Sequence, residues 1–201
     1  MNLLIISASQ RYPSQSRKVA DYLKQTVEKN KFFDTVQLID LGQNPLPLWD
    51  QGVWDGTPEW KHMLNPVIEQ MRKADAFILV IPEWNGMATP AIKNLTLFAG
   101  EHITGHKPVL LVSVSAGISG QYPISDLRVS GYKNTKWVYI PDHLIVRFVN
   151  SVMNGDKPEN DNDALIRERA EYSLKQLKLY AEALQSIRNK LEFDERFKYA
   201  M

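Results

Sequence analysis

Residues 76–86 read Ala76-Phe-Ile-Leu-Val-Ile-Pro-Glu-Trp-Asn-Gly86. An unbroken apolar run with no polar residue at alternate places describes a strand covered on both faces. The run stops at Pro82. Asn85-Gly86 then supplies two residues that accept positive φ, so the strand ends in a turn. A helical pattern follows from about Thr89 to Phe98, with Pro90 tolerated in its first turn. A strand buried on both faces that feeds a helix is the repeating unit of a parallel sheet.

The same unit recurs outward from this stretch. Leu3–Ile6 and Val109–Val114 are further buried runs, and Val36–Leu41 and Lys136–Ile140 complete five expected strands. Helical spacing covers about Ser16–Lys29, with Val19, Tyr22, Leu23 and Val27 inward, then Met63–Lys73, and a weak segment within 121–134. The strongest helix runs from Asp163 to Leu191, with Leu165, Ala170, Leu174, Leu177, Ala181, Leu184 and Ile187 on one face. Residues 42–61 and 142–163 read as mostly irregular. The expectation is an α/β, flavodoxin-like domain over 1–191: a five-stranded parallel sheet in the order 2-1-3-4-5, with helices on both faces. Residues 192–201 are expected to be a tail.

The 201 residues carry a formal net charge of +1, which recruits neither nucleic acid nor an acidic membrane. Cysteine is absent, which removes thiolate nucleophiles, iron–sulfur ligation and disulfides together. The four histidines do not fall at a zinc spacing, so no metal site is expected. No segment approaches the roughly 18 apolar residues of a membrane helix. No basic region precedes the short first apolar run, so no signal peptide is expected. A cytoplasmic protein is the reading.

In an open parallel sheet, ligands bind beyond the carboxyl ends of the strands where strand order reverses. Three such ends are equipped. After the first strand, Ser7-Ala-Ser-Gln-Arg-Tyr-Pro-Ser-Gln-Ser16 offers the hydroxyls of Ser9, Ser14 and Ser16, the charge of Arg11, and N–H groups at a helix start near Gln15. That set suits a phosphate monoester, or else a plain helix cap with a solvated arginine. After the third strand, Pro82-Glu-Trp-Asn-Gly-Met87 can aim N–H groups at a planar ligand edge, or pack Trp84 in the core. After the fourth, Ser115-Ala-Gly-Ile-Ser-Gly120 lets backbone approach closely, or is an ordinary turn. A glycine fingerprint for dinucleotides and a Gly-Lys-Ser/Thr triphosphate loop are both missing.

Taken together, these loops resemble the NAD(P)H-dependent FMN reductases, the flavodoxin-like group that includes quinone and azo-dye reductases. Their first loop usually reads G-S-x-R-x-x-S, similar to Ala8–Ser14 here with Ala8 for the glycine. Their second reads P-E-Y-N-G-S before a helix with L-K-N, similar to Pro82–Met87 and Ile92–Asn94. Their third is a glycine-rich loop before a helix with L-R, similar to Ser115–Arg128. Ala8, Met87, Gln121 and Leu97-Phe98 depart from the pattern.

The resemblance implies that Ser9, Arg11, Ser14, Gln15 and Ser16 hold an FMN phosphate. It implies that Pro82, Glu83, Trp84, Asn85 and Gly86 line the isoalloxazine, with Ser115 and Gly117 at the ring edge. It implies NADPH or NADH as co-substrate, a flavin, quinone or similar aromatic acceptor, and a homodimer or homotetramer. The chemistry would be the flavin's, so no side chain is singled out as catalytic. The competing reading is a flavodoxin-like binding or electron-transfer protein with little or no reductase activity. Trp49, Trp54 and Trp60 in the irregular stretch wall an aromatic acceptor pocket or a partner's active site, or else form a satellite hydrophobic cluster or a dimer contact.

Overall fold

The computed structural model describes residues 1–197. Five strands, β1 (Asn2–Ser7), β2 (Thr35–Asp40), β3 (Ala76–Pro82), β4 (Pro108–Val114) and β5 (Val138–Val146), form one parallel sheet in the order β2-β1-β3-β4-β5. The expected topology is therefore present. Every residue of β3 and β4 is buried, as strands covered on both faces require.

Two layers of helix cover the sheet. On one face, α1 (Gln15–Asn30) and α8 (Asp161–Lys190) pack Val19, Leu23, Leu174 and Leu177 against Leu3, Ile5, Ile78 and Leu110. On the other, α3 (Pro58–Lys73), α4 (Pro90–Phe98) and α6 (Tyr122–Arg128) cover Leu4, Ile6, Phe77, Leu79 and Leu111. Three short helices complete the set: α2 (Gln51–Asp55), α5 (Glu101–Thr104) and α7 (Tyr132–Thr135).

Four departures from the sequence reading have physical causes. Helix α3 begins at Pro58, not Met63, because Thr57 caps it by accepting the Trp60 N–H and Pro58 needs no partner in the first turn. The weak segment 121–134 splits into α6 and α7 at Gly131, whose φ is +78°. Strand β5 continues through Pro141 to Val146, into the stretch read as irregular. It lies at the sheet edge, where proline costs no ladder bond. On α8, Ala170, Leu174, Leu177 and Ala181 are buried as expected, but Leu165 is 65% and Ile187 42% exposed; Asp163 and Ile166, on either side of Leu165, face the core, so Leu165 lies off the buried face. Residues 192–197 continue beyond α8 with a short 3₁₀ turn, Glu195–Phe197. The rest of the expected tail, 198–201, lies outside the described residues.

Candidate active site

The carboxyl ends of β1, β3 and β4 meet at one rim and are pinned to one another. Ala8 donates its N–H to the Val80 carbonyl at 2.9 Å, and its own carbonyl accepts the buried Thr89 hydroxyl at 2.8 Å. The Glu83 N–H bonds the Val114 carbonyl at 3.0 Å, and the Ser115 N–H bonds the Val146 carbonyl at 2.9 Å. The sheet thus sets the starting direction of each loop.

In the first loop, Ser14 is the N-cap of α1 and accepts the Arg17 N–H at 3.1 Å. The next two N–H groups, of Gln15 and Ser16, have no partner among the described residues. They point out of the helix N-terminus with its partial positive charge. The Ser9 oxygen accepts the Arg11 N–H at 3.3 Å, which leaves its proton available to an acceptor. The exposed Arg11 guanidinium has no ion pair among the described residues. The neighbouring cations are committed elsewhere. Arg17 pairs with Asp21 and Asp40, and Lys18 donates to the Val149 and Val152 carbonyls. Burial pushes the Lys18 ammonium below its ordinary pKa, against the pull of Asp163 and Glu159. Arg11 and Ser14 line a cleft of about 510 Å³ that also touches Gly42 and Asn154. The Ser16 hydroxyl, by contrast, is buried, so that residue can meet an anion only through its N–H.

In the second loop, Trp84 and Met87 exchange both backbone bonds, at 3.2 and 3.1 Å, around Asn85 (φ 50°) and Gly86 (φ 69°). Two positive φ values in a two-residue connection define a type I′ turn, which is why Asn-Gly stands there. The Asn85 and Gly86 N–H groups have no partner among the described residues and sit at the exposed tip. Pro82 is buried as the last residue of β3, and Trp84 is half-buried beside the turn. Asp126 braces the far side, accepting the Ala88 N–H at 3.0 Å and the Lys93 ammonium at 2.6 Å. Partial burial pushes the Asp126 carboxyl up, but Lys93 and the Ala88 N–H outweigh it and hold it below the usual range.

In the third loop, Ser115 Oγ accepts the Gly117 N–H at 3.2 Å, so that N–H is already used. No atom lies within 4 Å of the place a Gly117 Cβ would occupy. Glu83 points into this loop rather than toward the rim, accepting donors from Ser119 and Gly120. Phe148, in the left-handed region at φ 49° and 47% exposed, donates its N–H to the Gly117 carbonyl at 3.3 Å.

Ser9, Arg11, Ser14 and the unpartnered N–H groups of Gln15 and Ser16 thus lie on one loop and helix start; of these residues Arg11 and Ser14 line the cleft, while Ser9, like Ser16, is buried. Trp84, Asn85 and Gly86 form a second set, with Ser115 and Gly117 at the adjoining edge. The roles of Thr89, Lys93, Asp126 and Phe148 were not read from the sequence. Lys93 and Asp126 lie inside quoted motifs, but neither carries a role there. Trp49, Trp54 and Trp60 pack in a satellite cluster and also line a cleft of about 770 Å³, so both readings of this stretch stand. Trp60, Leu64 and Phe98 are a separate cluster with Trp49 against them, and Trp54 stands 5.0 Å from Trp49, edge to face. Asn94 anchors this segment, accepting the Trp49 N–H at 2.9 Å and donating to the Pro47 carbonyl at 2.7 Å.

A doubly wound sheet with a ligand rim at its strand switch point defines a class of α/β protein. Residues 1–150 match the sequence profile described as NADPH-dependent FMN reductase, and the chain belongs to that family. An FMN-dependent NADPH-azoreductase of Staphylococcus saprophyticus is 31% identical over 134 residues, spanning 64% of this chain and 68% of that one. One from Staphylococcus aureus is 26% identical over 178 residues, spanning 88% and 93%. Among solved structures, a flavoenzyme NAD(P)H:(acceptor) oxidoreductase from Paracoccus denitrificans superposes with a TM-score of 0.70 at 17% identity, covering 90% of this chain and 97% of that one. An FMN-dependent NADH-azoreductase from Bacillus anthracis in complex with FMN has a TM-score of 0.56 at 18% identity, covering 92% and 99%. FMN as cofactor and NAD(P)H as reductant come with the family, and the chain is an NAD(P)H-dependent oxidoreductase.

Proposed function

We propose that this enzyme passes electrons from NAD(P)H to a small aromatic acceptor such as a quinone, an azo compound or a second flavin. FMN would be held across the three loops. The observation that carries this reading is the pair of unpartnered N–H sets, Gln15/Ser16 and Asn85/Gly86, on adjacent loops of one rim. The first set, with Ser9, Ser14 and Arg11, suits a terminal phosphate. The second suits the polar edge of a flat ring. When bound, FMN supplies the hydride and electron chemistry. The protein's residues bind and orient. Arg11 and the helix N-terminus neutralise the phosphate. The rigid Asn85–Gly86 turn presents N–H donors in a fixed direction, favouring negative charge at the ring edge without reorganisation. Trp84 offers a flat side wall.

On this reading residues 1–191 act as one domain, in the cytoplasm where NAD(P)H is available. Among the described residues, no helix is long and apolar enough to cross a membrane. A homodimer or homotetramer is part of the proposal. Met87, Tyr122 and Val129 are exposed apolar side chains beside the second loop, and Leu97 and Trp54 are exposed at the tryptophan cleft, 64% and 76%. Light scattering during gel filtration tests this, a monomer at all concentrations being the contrary result.

The functional test is NADPH oxidation by FMN-loaded protein with a quinone and with an azo dye, varying both substrates. Parallel double-reciprocal lines are expected, since reductant and acceptor take turns at one rim. Protein that binds FMN but is not reduced by NADPH or NADH would favour the electron-transfer reading instead.

A further inference from the structure

Glu83 lies in the stretch expected to line the ring, yet its carboxylate faces the neighbouring loop. Oε1 accepts the Ser119 hydroxyl at 2.5 Å, and Oε2 accepts the Gly120 N–H at 2.7 Å and the Tyr122 N–H at 3.3 Å. Its own N–H is committed to the Val114 carbonyl at 3.0 Å. The carboxylate has no ion pair among the described residues, and three neutral donors satisfy it. Gly120 has no room for a side chain on its other face. Its φ is +113°, and an added Cβ would lie 2.5 Å from Ile145 Cγ2. Arg147 closes the other side, donating from Nε to the Ser119 carbonyl at 2.9 Å.

We propose that Glu83 is a positioning residue that locks the third loop to the second, so that the rim keeps one shape whether or not FMN is bound. This rests on the reading of the rim given above. The third loop starts at β4 and would otherwise be tied to the second only by the Glu83–Val114 backbone bond. Its glycines make it intrinsically mobile. Charge-assisted bonds from one carboxylate to donors at 119, 120 and 122 remove that freedom before binding. Ordering that is complete before binding does not oppose it. Glu83 thereby acts on flavin affinity without touching the flavin.

The test uses the full chain without and with FMN. Amide hydrogen exchange is measured at residues 117–122 in the FMN-free protein, and FMN affinity by flavin fluorescence quenching. Glu83→Ala is expected to speed exchange in this segment and to weaken FMN by about tenfold. Glu83→Gln, which keeps one acceptor and lets the Ser119 hydroxyl turn, is expected to restore most of the affinity. Ser119→Ala, a milder change, covers the case in which Glu83→Ala does not fold, and is expected to weaken FMN by about threefold. Folded variants with wild-type exchange at 117–122 and wild-type FMN affinity would overturn the proposal. If the wild-type protein bound no FMN, the functional reading would fall, while unchanged exchange in Glu83→Ala would still separately overturn the lock.

Discussion

The Asp126 carboxylate accepts the Ala88 N–H at 3.0 Å while holding Lys93 at 2.6 Å, so one side chain on α6 fixes where the Asn85–Gly86 turn ends and α4 begins. The Trp84–Met87 exchange sets the direction of the turn's two unpartnered N–H groups, and Asp126 fixes where the turn ends. Replacing Asp126 with Ala leaves the Ala88 N–H without its acceptor and the Lys93 ammonium with only Ser130 Oγ, at 2.7 Å. The expected outcome is FMN binding weakened by about five- to tenfold with secondary structure intact, read by fluorescence quenching and circular dichroism. Unchanged affinity in a folded variant would show that the turn needs no brace.

Gly117 and Gly120 make a matched pair of tests within one loop. A methyl at Gly120 meets Ile145 Cγ2 at 2.5 Å in a backbone conformation of φ +113°. Gly120→Ala is therefore expected to destabilise the fold by about 2 kcal/mol or more, from strain and overpacking together. Gly117→Ala meets nothing within 4 Å, and its φ lies outside the left-handed region. Its melting temperature should match wild type while FMN affinity falls, because the open space beside Gly117 is where the ring edge is proposed to sit. Thermal melts and FMN titrations of both variants check the contrast.

Asp163 dictates the acid limit. Its carboxylate is fully buried and accepts the Met153 and Glu159 N–H groups at 2.9 and 3.1 Å and Arg167 Nε at 2.8 Å. Burial pushes its pKa up, but Arg167 and the two N–H groups outweigh burial and hold it below its ordinary value of 3.8. With the folded pKa below the unfolded one, the unfolded chain binds more protons near that value. The contribution is then complete above the unfolded pKa and lost as pH falls through the folded one. Urea melts at stepwise lower pH should show stability falling below about pH 4. Asp163→Ala should cost about 3 kcal/mol at neutral pH, because it strands a nearly buried guanidinium, and should flatten the acid limb.

Much of this was readable before any coordinates. The strand order follows from buried apolar runs alternating with helical spacing, because a parallel sheet buries its central strands on both faces. The rim follows because the loops after β1, β3 and β4 carry the Ser, Asn and Gly residues that suit ligand-facing turns. Other features depend on tertiary placement. In sequence β5 reads as ending at Ile140, since Pro141 and Asp142 look like a stop, and only its edge position makes them harmless. Glu83 sits inside a ring-lining motif, and nothing in sequence spacing shows that Ser119 and Gly120 would take its carboxylate. Ser16 belongs to the serine-rich loop, yet the first turn of α1 rotates its hydroxyl into the core.

The central claim is that the loop from Ser9 to Ser16 grips the phosphate of FMN, and it is tested most directly by comparing FMN with riboflavin. Both are titrated into wild-type protein and into a Ser9→Ala/Arg11→Ala double variant, with affinity read from flavin fluorescence. The wild type should prefer FMN strongly. The double variant should lose about ten- to a hundredfold in FMN affinity while its riboflavin affinity stays the same, since charge-assisted bonds to the phosphate are what it gives up. A double variant that keeps the full preference for FMN over riboflavin would contradict the account.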